Sequence, residues 1–489
     1  MKKTKIFSLL SVSALLLFSG GCKKFLDVNT DPNNAVDVPV DLLLPSAQTG
    51  LTFALGNTLT INGGIWAQYW TQSPAASQYQ SLEQYSPSQG DFDNVWFNLH
   101  IDALENFQKI VEKGNTTKQR EYVALATILK VYTYQLVTDL WGDVPFNQTL
   151  QGDAGTQILY PKYDSQSDIY DGLVKMIDTA RNLINLDDQA VPGADDLIYG
   201  GDMGKWLRFA NTLKLKIGLR LASKAATSAR AEAIVKSLQG ADFLQPGESA
   251  LQNFTATGGQ QNPLYGAIAG PVLNQTQNLV ASSTTFNFFN TNKDPRLQAF
   301  YSKATDGNYT SIPQGSYKKP PTTIVSPPSP ITGANAKNAQ SAFAPVRLMT
   351  DYESDFLQAE AIARGWLTGD AQAMYLQGIS DNFDAFGVKG ADTYSAQPSV
   401  AYPAAGSLDA KIKAIITQKW AAMCGNQTIE AWTEWRRTGY PSFFTISQDS
   451  QIGGGRFPGI FLYPNSEMTR NPNAPKSNHF VYDKVWWAQ

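Results

Sequence analysis

Between Leu348 and Phe386 apolar residues recur at helical spacing, and the run breaks once, at Gly365–Asp370. Tyr352, Phe356, Ala359 and Ala363 share one face of the first segment, and Ala371–Phe386 leads back along it. A helical period leaves each segment with one apolar stripe to cover. A short turn lays the next helix antiparallel on that stripe, and alanines at the crossing let the two backbones approach. Tyr122–Leu140 carries the same signature (Ala124, Ile128, Val131, Tyr132, Leu136) and is stopped by Trp141-Gly142-Asp143-Val144-Pro145. Tyr163–Ile184 follows as its partner, with Asp168 and Asp171 in the first turns, where carboxylates favour the helix dipole.

These pairs resemble the tetratricopeptide pattern, although they share no fixed period. Further helical stretches run from Leu42 to about Leu59, from Trp96 to Lys113, from Lys205 to Leu221 and from Leu408 to Arg436. In Lys205–Leu221 basic residues alternate with apolar ones, which predicts a core-facing helix with solvated lysines. Between about 254 and 344 the helical signal fades into Gly258-Gly259, a Thr/Asn/Phe mixture and the proline-rich run Lys318–Gly333. Short helices are expected there near Thr284–Phe289 and Pro295–Tyr301, among long loops and a few short strands. The fold class is therefore mainly α, a scaffold of tetratricopeptide-like helix pairs carrying long irregular loops.

The N-terminus sets the compartment. Lys2, Lys3 and Lys5 precede an apolar run of about 13 residues, Ile6–Phe18, too short to span a bilayer and right for a signal peptide. Ser19, Gly20 and Gly21 then lead into Cys22, which reads as a bacterial lipoprotein site where the thiol is acylated. The chain divides into a signal peptide over 1–21, a lipidated N-terminus and tether over 22–40, and a helical domain over 41–489 with the insertion inside it. The only other cysteine is Cys424, so an exported chain has no disulfide framework and must be stabilised by burial.

The residues exclude more chemistry than they offer. With two histidines, His100 and His479, histidine-based metal sites and catalytic triads are not expected. A net charge of -3 without a basic stripe argues against nucleic acid. No phosphate loop is present, because GGGRFPG lacks the Lys-Ser/Thr such a loop requires. Glu430 and Glu434 share a helical face, the arrangement a glycosidase pair could use, but Arg436 and Arg437 beside them make ion pairing the simpler account. No cofactor is called for and no enzyme is expected.

Aromatic and amide residues are the positive signal, with 11 Trp, 21 Tyr and 24 Phe in 489 residues. Trp66, Tyr69, Trp70, Tyr79, Tyr85 and Trp96 fall in one span interleaved with Gln68, Gln72, Gln78, Gln80 and Gln84. Flat rings bind the apolar faces of sugars while amides read the hydroxyls. Two of the rings at 66, 69 and 70 are expected to pack inward. Tyr79 and Tyr85, in the less periodic part, lead the ligand-binding candidates, ahead of Trp96.

Several stretches together resemble the SusD/RagB-type lipoproteins. They are Cys22 with Phe25–Asn33, Asp139–Phe146, Lys205–Lys214, Asp294–Leu297, Leu348–Trp366, Trp432–Pro441, and Tyr463-Pro464 with Glu467 and Asn471, in the family's order. The resemblance implies a nutrient-binding outer-membrane lipoprotein, lipid-anchored and surface-exposed. It implies capture of an oligosaccharide or peptide and delivery to a SusC-like TonB-dependent transporter, over which the lipoprotein closes as a lid. A surface-anchored glycan-degrading enzyme and a helical-repeat assembly factor without small ligand are the competing readings.

Overall fold

The computed structural model describes residues 38–152, 157–188 and 191–488. Cys22, the signal segment and the tether as far as residue 37 lie outside the described residues. The chain opens with α1 (Val40–Ala54), a π-helical turn (Leu55–Leu59) and α2 (Thr60–Trp66), then β1 (Trp70–Gln72) and α3 (Gln80–Glu83). Next come α4 (Asp93–Phe97), a second π-helical stretch (Asn98–Glu105), α5 (Asn106–Thr117) and α6 (Arg120–Trp141). The hairpin strands β2 (Val144–Pro145) and β3 (Tyr163–Asp164) precede α7 (Gln166–Leu183), α8 (Met203–Arg220) and α9 (Ala225–Lys236). The insertion holds β4 (Ala250–Gln252), α10 (Pro263–Ala269), β5 (Leu279–Ala281), α11 (Ser283–Thr291) and α12 (Leu297–Phe300). After it come β6 (Val346–Met349), α13 (Asp351–Ala363), α14 (Ala371–Ala385), α15 (Ala391–Ser395), α16 (Leu408–Ala422), α17 (Thr428–Thr438) and α18 (Asn465–Arg470).

Local chemistry sets these boundaries. Ser165, Asp202, Thr350 and Ser407 each accept a first-turn backbone N–H and so cap α7, α8, α13 and α16. Gly142 ends α6 at a φ of 77° and Gly439 ends α17 at 73°. α13 lies along α14, and α6 between α5 and α7, as the paired apolar stripes require. The helix expected to begin at Leu348 starts later, because Val346–Met349 pairs as a strand with Ala250–Gln252. That ribbon closes the insertion at its base, so the segment leaves and rejoins the helical body at one place.

Two further ties hold the insertion down. β5 pairs antiparallel with β1, Trp70 opposite Ala281 and Gln72 opposite Leu279. Arg296, fully buried, pairs with Asp294 at 2.6 Å and donates to Asn382 on α14, at 2.9 Å, and to Gln418 on α16, at 3.0 Å.

The lysines of α8 are not solvated as expected. Lys214 reaches Asp178 on α7 at 2.7 Å, and Lys216 reaches Glu353 on α13 at 3.1 Å and Glu430 on α17 at 3.0 Å. Lys216 belongs to a buried ionic network, while Lys214 pairs outside it with the partly exposed Asp178. Arg220 pairs with Asp139 on α6 at 3.1 Å, with Glu430 at 2.7 Å and with Glu434. Lys419 on α16 faces Glu353, Glu430 and Glu434. Arg437 bridges Glu434 at 2.7 Å and Glu360 on α13 at 2.6 Å. Burial pushes the Glu430 carboxyl up, but Arg220, Lys216 and Lys419 outweigh it and hold it down at about 2. A carboxylate so depressed stabilises the fold above its ordinary range, and that contribution is lost as pH falls toward 2.

Glu434→Gln leaves three buried cations under-compensated, and removing one partner of such a network costs about 3–5 kcal/mol. The urea midpoint of the variant is expected to fall accordingly, with the slope unchanged; an unchanged midpoint would contradict the network's role.

Candidate functional site

Tyr79 precedes α3 and forms part of the wall of a cavity of about 410 Å³. The opposite wall is the first helix, where the π-helical turn contributes Asn57 and Thr58 and α2 adds Ile61 and Asn62. A π-turn adds one residue to the helical ladder and re-aims side chains, a device common at functional sites. The insertion closes the third side with Ala267, Val272 and Leu273. Val272 is 90% exposed, and the chain just after it takes left-handed conformations at Asn274 (φ 45°) and Gln275 (φ 56°). Such backbone is costly outside glycine and marks a loop whose shape is set by what it must present.

Side chains hold Tyr79 in place. Its backbone N–H donates to the Gln72 carbonyl Oε1 at 2.7 Å, and that of Gln78 donates to Asn278 Oδ1 at 3.1 Å. Burial raises the Tyr79 hydroxyl to about 12, so it stays protonated and can donate. The lining combines one aromatic ring and aliphatic side chains (Ile61, Leu82, Ala267, Val272 and Leu273) with amides and hydroxyls, and Asp91 is its one charged member.

Glu83 anchors this wall from beneath. It is fully buried and accepts from the Gln72 backbone N–H at 2.9 Å, from Gln314 Nε2 at 3.0 Å and from Ser447 Oγ at 3.5 Å. One carboxylate therefore joins α3, β1, the insertion and the C-terminal loop. Burial pushes it up to about 7, against the hydrogen bonds that favour its charge.

The remaining aromatic candidates are placed differently. Trp66 is buried against Trp432 (4.9 Å) and Phe461 (5.5 Å), its Nε1 donating to Leu82 O. Tyr69 is fully buried, stacks on Trp420 at 5.3 Å and donates to its carbonyl. Trp70 is fully buried in β1, because Gly64 leaves room where a Cβ would lie 2.3 Å from its ring. Helical spacing put these three rings on one helix, but the helix ends at Trp66 and Gln68 turns at a φ of 61°. Tyr85, expected in an open loop, is 2% exposed; α3 and the turn at its own φ of 55° carry it inward, where its hydroxyl accepts from the Ser447 backbone N–H at 3.2 Å. Trp96 is 8% exposed and stacked on His100 at 4.2 Å, at the edge of a separate groove with Phe97 and Tyr160. Of the candidate rings, Tyr79 alone borders the 410 Å³ cavity. The sequence missed Asn57, Thr58, Asn62 and Val272, since a π-turn and an apolar loop tip leave no periodic signal.

An acid–base pair is not to be found in this cavity. Glu430 and Glu434 are consumed by the ionic network, and among the described residues no cluster of three or more His, Cys, Asp or Glu is arranged for a metal. The helical scaffold thus carries a cavity whose lining sets amides and hydroxyls beside one tyrosine. The chain belongs to the SusD-like family described as starch-binding and associating with the outer membrane, whose profile matches residues 32–464. Among solved structures it is similar to a chitin-binding protein at 25% identity, covering 92% of this chain and 100% of the other with a TM-score of 0.76. A SusD homolog from Bacteroides uniformis shares the fold at 22% identity (91% and 99% covered, TM-score 0.76). So does a chitin-binding SusD homolog from Flavobacterium johnsoniae at 23% identity (92% and 97% covered, TM-score 0.73). No curated protein sequence matches the chain.

Because the folded protein keeps a proton on Glu83 that the unfolded chain releases, stability from this group falls as pH rises from about 4.5 to 7 and levels off above. Glu83→Gln removes that slope. The melting temperature of the variant relative to the native protein is expected to rise between pH 5 and pH 7.5, by the equivalent of about 2 kcal/mol. A difference that is constant with pH would refute a titrating Glu83.

Proposed function

We propose that this protein captures a neutral oligosaccharide at the outer-membrane surface, in the cavity bordered by Tyr79, and delivers it to a SusC-like TonB-dependent transporter. The supporting observation is the cavity itself: a tyrosine whose protonated hydroxyl can donate lines it together with the amides and hydroxyls of Asn57, Thr58 and Asn62. A pyranose presents both an apolar face and a ring of hydroxyls, and this lining meets both. The family's description as starch-binding and the chitin-binding protein at 25% identity support a glycan over a peptide.

Capture needs no bond-making step. The ligand desolvates against Tyr79 and Val272, the amides take over the hydroxyls' hydrogen bonds to water, and the protein closes over its transporter as a lid. Acylation of Cys22 supplies the anchor. Two or three acyl chains, at about 0.8 kcal/mol per buried methylene, hold a chain firmly to one leaflet. The segment after Cys22 then serves as a leash for the swinging body.

Calorimetry with maltoheptaose and chitohexaose tests the site. Tyr79→Ala is expected to lower affinity about tenfold, near 1.4 kcal/mol, while the protein stays folded by circular dichroism. Equal affinities for variant and native protein would remove Tyr79 from the site, and shortened sugars after prolonged incubation would sink capture without catalysis. Cys22→Ala is expected to leave the washed membrane fraction while still binding glycan; sedimentation with membranes as before would show that the lipid is not the anchor.

A further inference from the structure

A second opening, of about 510 Å³, lies between α11 and the loop after α17, with Phe288 and Phe443 among its walls. The geometry points to a second saccharide subsite here, taking one neutral pyranose against Phe443; this rests on the glycan reading above.

Phe443 is 40% exposed, yet its ring is not free to turn. It stacks on Phe288 at 5.6 Å with the planes 23° apart, and both rings meet the buried Trp420 edge-on, at 5.3 and 5.4 Å. The stack extends outward from the core and ends in an accessible ring of fixed orientation. Around it stand Ser283, Thr284, Asn287, Thr291, Asn292 and Thr445, all hydroxyls and amides, and no charged residue lines the opening. An ionic ligand meets no counter-charge there. A sugar ring finds an apolar platform and neutral hydrogen-bonding partners.

The two walls are joined by one strained residue. Gln68 is 1% exposed at a φ of 61°. Its backbone carbonyl accepts from Thr285 Oγ1 at 2.6 Å, and its Oε1 accepts from Thr284 Oγ1 at 2.7 Å and from the Thr445 backbone N–H at 3.1 Å. Its Nε2 donates to Thr445 O at 2.6 Å. A non-glycine residue is kept left-handed only where its surroundings over-determine it, and here they fix the width of the opening. Gln68 precedes β1 and Tyr79 follows it; Ser283 follows β5 and Leu273 precedes it. The two cavities thus lie beyond opposite ends of one short buried ribbon.

Calorimetry on the full chain with chitohexaose and maltoheptaose decides the matter. Phe443→Ala and Asn287→Ala, both at exposed positions, are each expected to weaken binding about fivefold. Tyr79→Ala is expected to retain a weak residual site that Phe443→Ala, added to it, abolishes. Should Phe443→Ala fail to fold by circular dichroism, Asn287→Trp, which fills the opening, takes its place. If Phe443→Ala and Asn287→Ala titrate like the native protein while Tyr79→Ala loses binding, the second subsite is refuted and the Tyr79 site stands. The reverse pattern refutes the Tyr79 site and supports the second. Native protein that binds neither glycan refutes both. Binding of polygalacturonate that Phe443→Ala abolishes would overturn the assignment to a neutral ligand.

Discussion

Five helices meet at a set of charges that is largely shut away from water. Arg220, Lys216, Lys419 and Arg437 lie among Asp139, Glu353, Glu360, Glu430 and Glu434, drawn from α6, α8, α13, α16 and α17. A buried charge is tolerated only when paired with good geometry, so each helix must arrive in register with the others. Apolar stripes permit sliding and repacking at modest cost, whereas a misplaced guanidinium does not. The network therefore selects one arrangement of helices that hydrophobic burial alone would leave less sharply defined, and the loops inherit their positions from it.

The insertion shows how that positioning is passed on. It is closed at its base by the β4–β6 ribbon, tied to β1 through β5, and bolted to α14 and α16 by Arg296. Glu83 then joins β1, the insertion and the C-terminal loop from a single buried carboxylate. A long, helix-poor segment is thereby held in one arrangement against the helical body. Preorganisation of this kind lowers the ordering cost of binding, which matters for sugars, whose hydroxyls exchange one set of hydrogen bonds for another.

The same economy separates binding from catalysis. The carboxylates that could have formed a glycosidase pair are held in ion pairs, Glu430 with its carboxyl lowered to about 2, and neither cavity is lined by a pair of them. What the two openings share is amides and hydroxyls beside a ring, Tyr79 in one and Phe443 in the other, with Asp91 of the first the one charged side chain among them. That composition suits recognition of polyhydroxylated ligands and offers little to bond cleavage.

Much of the scaffold was legible in the sequence. Tyr122–Leu140 and the two arms of Leu348–Phe386 announced their helices through apolar period, caps and glycine stops. Of the ion pairing expected around Glu430 and Glu434, Arg437 makes its share with Glu434, while Arg436 instead donates to the Asp139 and Gly459 carbonyls. The compositional excess of rings and amides suited a sugar or a peptide without choosing between them. What the sequence could not say is which ring faces which surface. Trp66, Tyr69, Trp70 and Tyr85 look as available as Tyr79 in one dimension, yet they fill the core against Trp432, Trp420 and residues far along the chain. Lys214 and Lys216 look solvated until α7, α13 and α17 bring their carboxylates to them. Spacing along one chain fixes the face a residue occupies on its own element. Burial and pairing depend on what covers that face, and here the covering segments are up to several hundred residues away, so only the tertiary structure decided them.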